Sequence, residues 1–303
     1  MDKFLFLTNC FIFATNQIAP MFTRFALIFL SFLFFQDCQL EENNPVAPED
    51  LSTLNLALGN PSGARSAISE ENNYLMLQPQ FALSYSKARG IANWVSWYLS
   101  DEWIGEVDRQ DNFRADDALP SGWYRAISTN YTASGFDRGH NCPSGDRTNS
   151  AEANSATFLM TNIIPQAPGH NQGPWNQMEQ YCRKLVSEGN ELYIIMGNYG
   201  QGGTGSAGYK EKLASGKITV PKSIWKVVVV LPKGVDDLQR IQKDTRVIAV
   251  DIVNRHDVSG LHWADFRVSV DAIELATGLD LLSALPKNIQ DILEAKADKG
   301  SIN

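Results

Sequence analysis

The sequence predicts an α+β domain, a layered and mainly antiparallel β-sheet covered by helices, on three observations. Five runs, at 94–98, 157–164, 191–197, 223–231 and 245–253, are apolar or β-branched over strand-like lengths and are bounded by turn-forming residues. Several are apolar at every position, which asks for a sheet covered on both faces. The helical signals between them do not alternate regularly with the strands, which argues against a doubly wound parallel sheet. One helix is expected after Gly173, with Pro174 at its favoured first position and Gly189 as its C-terminal stop. A second opens at Asp271, whose spacing to Glu274 matches a capping pair, and the last runs over 286–295.

A chain of 303 residues with 44% hydrophobic, 10% aromatic and 20% charged content is ordinary globular protein, not coiled coil, collagen or a disordered polymer. Four cysteines with no CxxC pair make neither a disulfide scaffold nor a structural zinc site. A net charge of -8 argues against coating nucleic acid through global charge, and leaves room for a local basic groove.

Residues 1–37 hold two apolar runs, each shorter than a spanning helix wants. The second reads as a signal peptide or export anchor starting at Met21, with Arg24 before its apolar stretch and Gln36-Asp37 as the polar boundary. Cys38 is a candidate lipid-attachment cysteine, although Asp37 replaces the small residue such sites prefer; plain secretion and an uncleaved anchor are the alternatives. The expected localisation is therefore exported: secreted, periplasmic or held to a membrane as a lipoprotein. Residues 38–73 read as a polar linker, 74–296 as one domain and 297–303 as a tail.

The chemistry concentrates in two segments. Asp137, Arg138, Gly139 and His140 place a carboxylate, a guanidinium and an imidazole in four consecutive positions, a tetrapeptide that alone is equally at home in a surface turn. Downstream, Asn171, Trp175, Glu179 and Arg183 recur every four residues, so the last three share one helix face and Asn171 stands just before the first turn. An amide oxygen with a nearby carboxylate suits a hard divalent ion that keeps several waters. The plain alternative is an amphipathic helix with a buried Trp175 and a solvated Glu179–Arg183 pair.

Taken together, these residues resemble the DNA/RNA non-specific endonucleases, of the endonuclease G and NucA type. The resemblance covers 74–296 and rests on the DRGH motif at 137–140, the TNIIPQ stretch at 161–166, and the Asn171, Trp175, Glu179 and Arg183 series. It implies a ββα-metal active site of the His-Me finger type and cleavage of single- and double-stranded DNA and RNA to 5′-phosphate products. It also implies that Arg109 binds the scissile phosphate; Arg114 is left without a role. His140 is the expected general base, because an imidazole accepts a proton near neutrality when its ring is held in place. Asn171 would hold one Mg2+ or Mn2+ directly and Glu179 would orient its waters. Arg109, Arg138 and Arg183 would stabilise developing negative charge, with a scaffold role as the alternative for Arg138, and Asp137 would orient the loop.

Five lysines against the single Glu211 in 209–226 suggest a nucleic-acid track, with Lys210, Lys212 and Lys217 as its substrate-binding members; a solvated hairpin edge is the alternative. Arg147 is expected to hold the loop after His140. His170 reads as a solvated loop histidine, and His256 and His262 as structural or exposed. Cys142 and Cys182 could equally be a disulfide or two buried thiols, and 202–205 is a flexible turn. Expected partners are DNA and RNA, with an inhibitor protein left open and membrane contact only through the leader; a monomer is expected, with a dimer as the alternative. The competing functions are a catalytically silent nucleic-acid-binding surface lipoprotein, against which the presence of His140 and Asn171 counts, and a phosphodiesterase acting on another substrate.

Overall fold

The computed structural model describes residues 53–302. The proposed leader and start, Cys10, and the lipidation candidate Cys38 lie outside these residues. The strands are β1 Tyr74–Leu77, β2 Ala82–Ser86, β3 Ile91–Leu99, β4 Asp137–His140, β5 Ile163–Gln166, β6 Asn190–Tyr199, β7 Gly203–Gly205, β8 Gly208–Lys210, β9 Lys212–Leu213, β10 Ile218–Thr219, β11 Ser223–Pro232, β12 Arg246–Val253 and β13 Arg267–Val268. The α-helices are α1 Ala151–Ala156, α2 Pro168–His170, α3 Asn176–Ser187, α4 Asp237–Arg240, α5 Val270–Thr277 and α6 Lys287–Glu294. No helix among the described residues is long and apolar enough to cross a membrane.

Seven strands form one sheet in the order β1-β2-β3-β6-β11-β12-β13, and every pairing in it is antiparallel. The α+β expectation holds, and its physical reason is visible in β6 and β11. Both are buried on alternate positions and on the positions between, so each face of the sheet carries a covering layer. Trp94, Trp97, Trp175, Trp225 and Trp263 are fully buried in the core.

The expected strand over 157–164 is not one. A short 3-10 turn occupies Met160–Asn162 and only Ile163–Gln166 is extended. The cause is local polar competition with the ladder: Thr157 Oγ1 donates to Asn154 O at 2.7 Å, and Asn162 spends its side chain on Cys142 and Thr157.

The folded unit also reaches further than 74–296. Leu58 and Ala64 are buried. Asn55 donates to Pro79 O and accepts from Tyr98 N, both at 3.1 Å, while Ser62 Oγ accepts from the Trp94 indole at 2.8 Å. The polar residues of 53–73 that suggested a linker are thus riveting side chains. At the other end Asp298 pairs with Arg246 at 2.9 Å and Arg267 at 3.3 Å, so the start of the expected tail is packed too.

The second helix begins one residue earlier than expected and with a different cap. Ser269 Oγ, not Asp271, caps α5 by accepting from Ala272 N, while Glu274 Oε1 accepts from Leu281 N.

Candidate active site

The ββα unit is built from β4, β5 and the helical segment that follows. Strands β4 and β5 pair antiparallel, with Asp137 opposite Gln166 and His140 opposite Ile163. Gly139 is dictated by this pairing, because a Cβ there would stand 2.1 Å from Gln166 Oε1. Asn162 locks the end of β4 by accepting from Cys142 N at 2.9 Å and donating to Cys142 O at 2.9 Å.

After β5 the chain enters the helical turn α2, breaks at Gly173, whose backbone is non-helical, and resumes at Pro174 into α3. Asn171 therefore precedes the break and Glu179 and Arg183 follow it. The turn that carries Asn171 is clamped from the far side. Asn254, fully buried, accepts from Ala167 N at 2.8 Å and donates to Pro165 O at 3.0 Å, and His256 Nδ1 accepts from Gly169 N at 3.0 Å. No sequence motif marks Asn254 or His256 for this task.

His170 corrects its expectation. It is fully buried, with Nδ1 2.7 Å from Gln166 Nε2 and its ring 5.2 Å from Trp175, so it props the helix entry from inside.

A cavity of about 460 Å³ gathers Arg109, Arg138, His140, Asn171, Asn176, Glu179 and Arg183. The six residues expected to act on the metal or on the reacting phosphate, Arg109, Arg138, His140, Asn171, Glu179 and Arg183, therefore face one space. A second cavity of about 390 Å³, walled by Asp111, Phe113 and Asp137, shares Arg109, Arg138, Asn171 and Gln172 with it. Lys210, Lys212 and Lys217 line neither. Lys217 belongs instead to a separate hollow beside Lys87 and Trp123. Lys226, counted with the basic track, is buried in the sheet with its ammonium 4.3 Å over the Trp175 ring.

His140 is 9% exposed. Its Nε2 is buried without a hydrogen-bond partner, which leaves Nδ1 as the nitrogen available to the cavity. What holds the ring is aromatic packing: Phe158 meets it edge-on at 4.9 Å, and Phe113 lies 5.4 Å away. The same two phenylalanines seat the flanking cations, since Arg138 lies 4.2 Å over Phe113 and Arg109 lies 4.8 Å over Phe158. Neither phenylalanine was legible as functional in the sequence. Burial, and then the charges of Arg109 and Arg138, push the His140 pKa down to about 3, so the imidazole is neutral but a weaker proton acceptor than the near-neutral base expected from the sequence; an anionic phosphate between the two arginines would offset their charge and raise its basicity.

The other groups are oriented as follows. Asp137 Oδ2 accepts from Asn171 Nδ2 at 2.9 Å and from Gln172 Nε2 at 2.9 Å. The expected loop-orienting carboxylate thus orients the Asn171 amide itself. Arg109 is placed by Asp111 and by Ser144 Oγ, each at 2.7 Å. Arg183 pairs with the buried Asp146 at 2.9 Å rather than with Glu179, as the amphipathic-helix alternative would have it. Burial opposes the charge on Arg183, but Asp146 and Glu179 outweigh it and hold the guanidinium protonated above its ordinary range. Burial pushes Glu179 up to about 7, against the pull of Lys226.

Arg147, fully buried, donates to Gln80 O and Tyr98 O and fixes the loop after His140 to the sheet. Arg114 is spent on Ser155 O at 2.8 Å. Cys142 and Cys182 are buried free thiols.

The residues fit a hard divalent ion. Because the Asn171 amide nitrogen is committed to Asp137, its oxygen is the end left for a ligand. Glu179 lines the same cavity, and Arg183, its nearest candidate partner on the helix, is engaged elsewhere.

The model of the DNA/RNA non-specific endonuclease family matches residues 59–288. The chain belongs to that family. Its members similar to this chain include a nuclease of Nostoc sp. (strain PCC 7120), 49% identical over 81% of this chain and 86% of the relative. Human mitochondrial endonuclease G is 30% identical over 68% of each chain. The mouse mitochondrial nuclease EXOG is 30% identical, and there the chain spans only 56% of the relative's length. Among solved structures, an EndoG/EndoGI complex matches with a TM-score of 0.64 at 21% identity, covering 80% of this chain and 94% of that one. At that identity the likeness is one of fold, and the family's antiparallel α+β architecture is the one described above.

Proposed function

We propose that this family member is an exported, sugar-non-specific endonuclease that hydrolyses phosphodiester bonds of single- and double-stranded DNA and RNA to 5′-phosphate products. The observation that carries the reading is the convergence of His140, Asn171, Glu179 and three arginines on one cavity. In this reading Arg109 and Arg138 bind the scissile phosphate, held over Phe158 and Phe113 on either side of His140. His140 Nδ1 takes a proton from the attacking water, whose oxygen bonds to phosphorus as the bond to the 3′ oxygen breaks. Arg183 adds positive charge across the cavity, where negative charge builds on the phosphoryl oxygens.

Asn171 would hold Mg2+ or Mn2+ through its amide oxygen, with Glu179 acting on the ion's waters. When bound, the ion supplies a Lewis acid for a phosphate oxygen and an acidified water for the departing 3′ oxygen. Because water is the nucleophile, the 2′ hydroxyl is not required, which supports action on both sugars.

Export rests on the apolar run after Met21 and would place the enzyme outside the cytoplasm, secreted or anchored. One of the structures similar in fold is a complex concerned with inhibition of EndoG, which supports a search for an inhibitor protein here. The test is digestion of plasmid DNA and ribosomal RNA by purified protein, with Mg2+ or with chelator, beside folded His140→Ala and Asn171→Ala. Metal-dependent loss of both substrates, abolished in each variant, is expected; a wild type that spares one sugar type under matched conditions would overturn the non-specific reading.

A further inference from the structure

Among the described residues, one group of acids meets the geometry of a cation site, and it lies outside the catalytic cavity. Asp271 and Glu274, three apart on α5, and Glu294, the last residue of α6, each bring a carboxylate oxygen within 4.8 Å of the other two. The three differ in access: Asp271 is exposed, Glu274 is half-buried, and Glu294 is 3% exposed.

Glu294 is the observation that separates this cluster from an ordinary acidic surface. Its Oε1 is completely buried and has no hydrogen-bond partner, a costly arrangement for a carboxyl group unless something else occupies the space it faces. None of the described lysines or arginines forms an ion pair with Asp271, Glu274 or Glu294; the nearest candidate on α6, Lys287, is engaged by Asp291. The end of α6 adds the negative pole of the helix to the same spot.

We propose that Asp271, Glu274 and Glu294 form a second divalent-cation site, built for Ca2+, that ties α5 to α6. Mg2+ demands a near-ideal octahedron, keeps most of its waters and usually takes only one or two carboxylates, whereas Ca2+ accepts a larger and less regular set of oxygen donors. Three carboxylates gathered from two helices suit Ca2+ better. The exposed side at Asp271 leaves room for the waters that complete the shell. Bound there, the ion would neutralise Glu294 and cross-link the two helices that pack at the C-terminal end of the fold, with α6 against β12.

The test is thermal unfolding and calorimetric titration of the full chain with CaCl2 or MgCl2, for the wild type, Asn171→Ala, Glu294→Gln and Asp271→Asn. Asn171→Ala removes the cleft's proposed ligand, so a response that survives in it belongs to the helix pair. A rise in Tm of about 5–10 °C at a hundredfold excess of Ca2+ over its Kd is expected in the wild type and in Asn171→Ala. The rise should vanish in Glu294→Gln. Asp271→Asn, an exposed change that spares the core, should need about tenfold more Ca2+ for the same shift. A flat wild-type response, an equal rise in Glu294→Gln and Asp271→Asn, or an equal rise with Mg2+ would each overturn the assignment. None of these outcomes bears on the nuclease reading, which digestion of DNA with Mg2+ tests separately.

Discussion

Two regions of this molecule gather charge in a confined space, and they solve the problem in opposite ways. The cleft around His140 collects arginines and seats them on aromatic faces, Arg138 on Phe113 and Arg109 on Phe158. The α5–α6 corner collects carboxylates and leaves the most buried of them, at Glu294, without a partner. In the cleft burial, reinforced by the positive charges, keeps the imidazole neutral, and the arginines await an anionic substrate. At the corner no described side chain forms an ion pair with the three carboxylates, and Lys287, the cation that acts on them, is paired with Asp291. The difference teaches that buried charge is informative through what has been left for a ligand to complete, more than through its amount.

The largest expected effects lie in the cleft. His140→Ala should lower the rate of DNA cleavage by a factor of about 10²–10⁴, measured on plasmid under saturating metal with the fold checked by circular dichroism. A loss much smaller than that would mean His140 is not the base, and the cleft side of the comparison would collapse. Next, Phe158→Ala should destabilise the domain by about 3–5 kcal/mol, since the ring is fully buried, and should reduce activity even at temperatures where the variant stays folded. Phe158→Leu, which keeps most of the volume, should retain stability and still lose activity, because His140 and Arg109 lose the ring they lean on.

A third expectation concerns pH. Glu179 is raised to about 7 and His140 is lowered to about 3, so on acidification Glu179 gains its proton first. The Mg2+ concentration for half-maximal activity should therefore rise about tenfold per pH unit below 7, while the rate at saturating Mg2+ holds to near pH 5. A saturated rate that falls with an apparent pKa near 6.5 would show His140 titrating normally and would contradict the arginine-guarded site. The smallest effect is expected from Lys210→Glu, Lys212→Glu and Lys217→Glu together. These side chains line neither catalytic cavity, so the triple variant should change the salt dependence of substrate binding by no more than a few phosphate contacts and leave the saturated rate intact.

The parts legible in the sequence share a physical cause. Runs such as 223–231 announce β11 because both faces are buried and every position must be apolar. Asn171, Glu179 and Arg183 were legible because a helix repeats their spacing and the DRGH motif narrowed what they serve. The run 157–164 misled because Asn162, polar and fully buried, diverts the backbone into a turn that its apolar neighbours do not reveal. His170 misled for the converse reason: it is buried between Gln166, four residues before it, and Trp175, which packs on it from beyond the helix break at Gly173. Phe113, Phe158 and Asn254 act through contacts between segments distant along the chain, and no local pattern encodes those.

Strands β3 and β6 lie side by side in the sheet, with Leu99 opposite Leu192. Every catalytic candidate, from Arg109 to Arg183, belongs to the stretch of chain between them. The site is therefore a single excursion, stitched shut at its base by two neighbouring strands. Closing so long a loop carries an entropic cost that the β3–β6 ladder helps to offset. A nascent chain that has not yet made β6 carries the residues up to Arg183 but lacks the sheet beneath them and the Asn254 and His256 clamps on the turn that carries Asn171, so the frame of a cleft dangerous to any cell's own nucleic acid is incomplete until the sheet is whole.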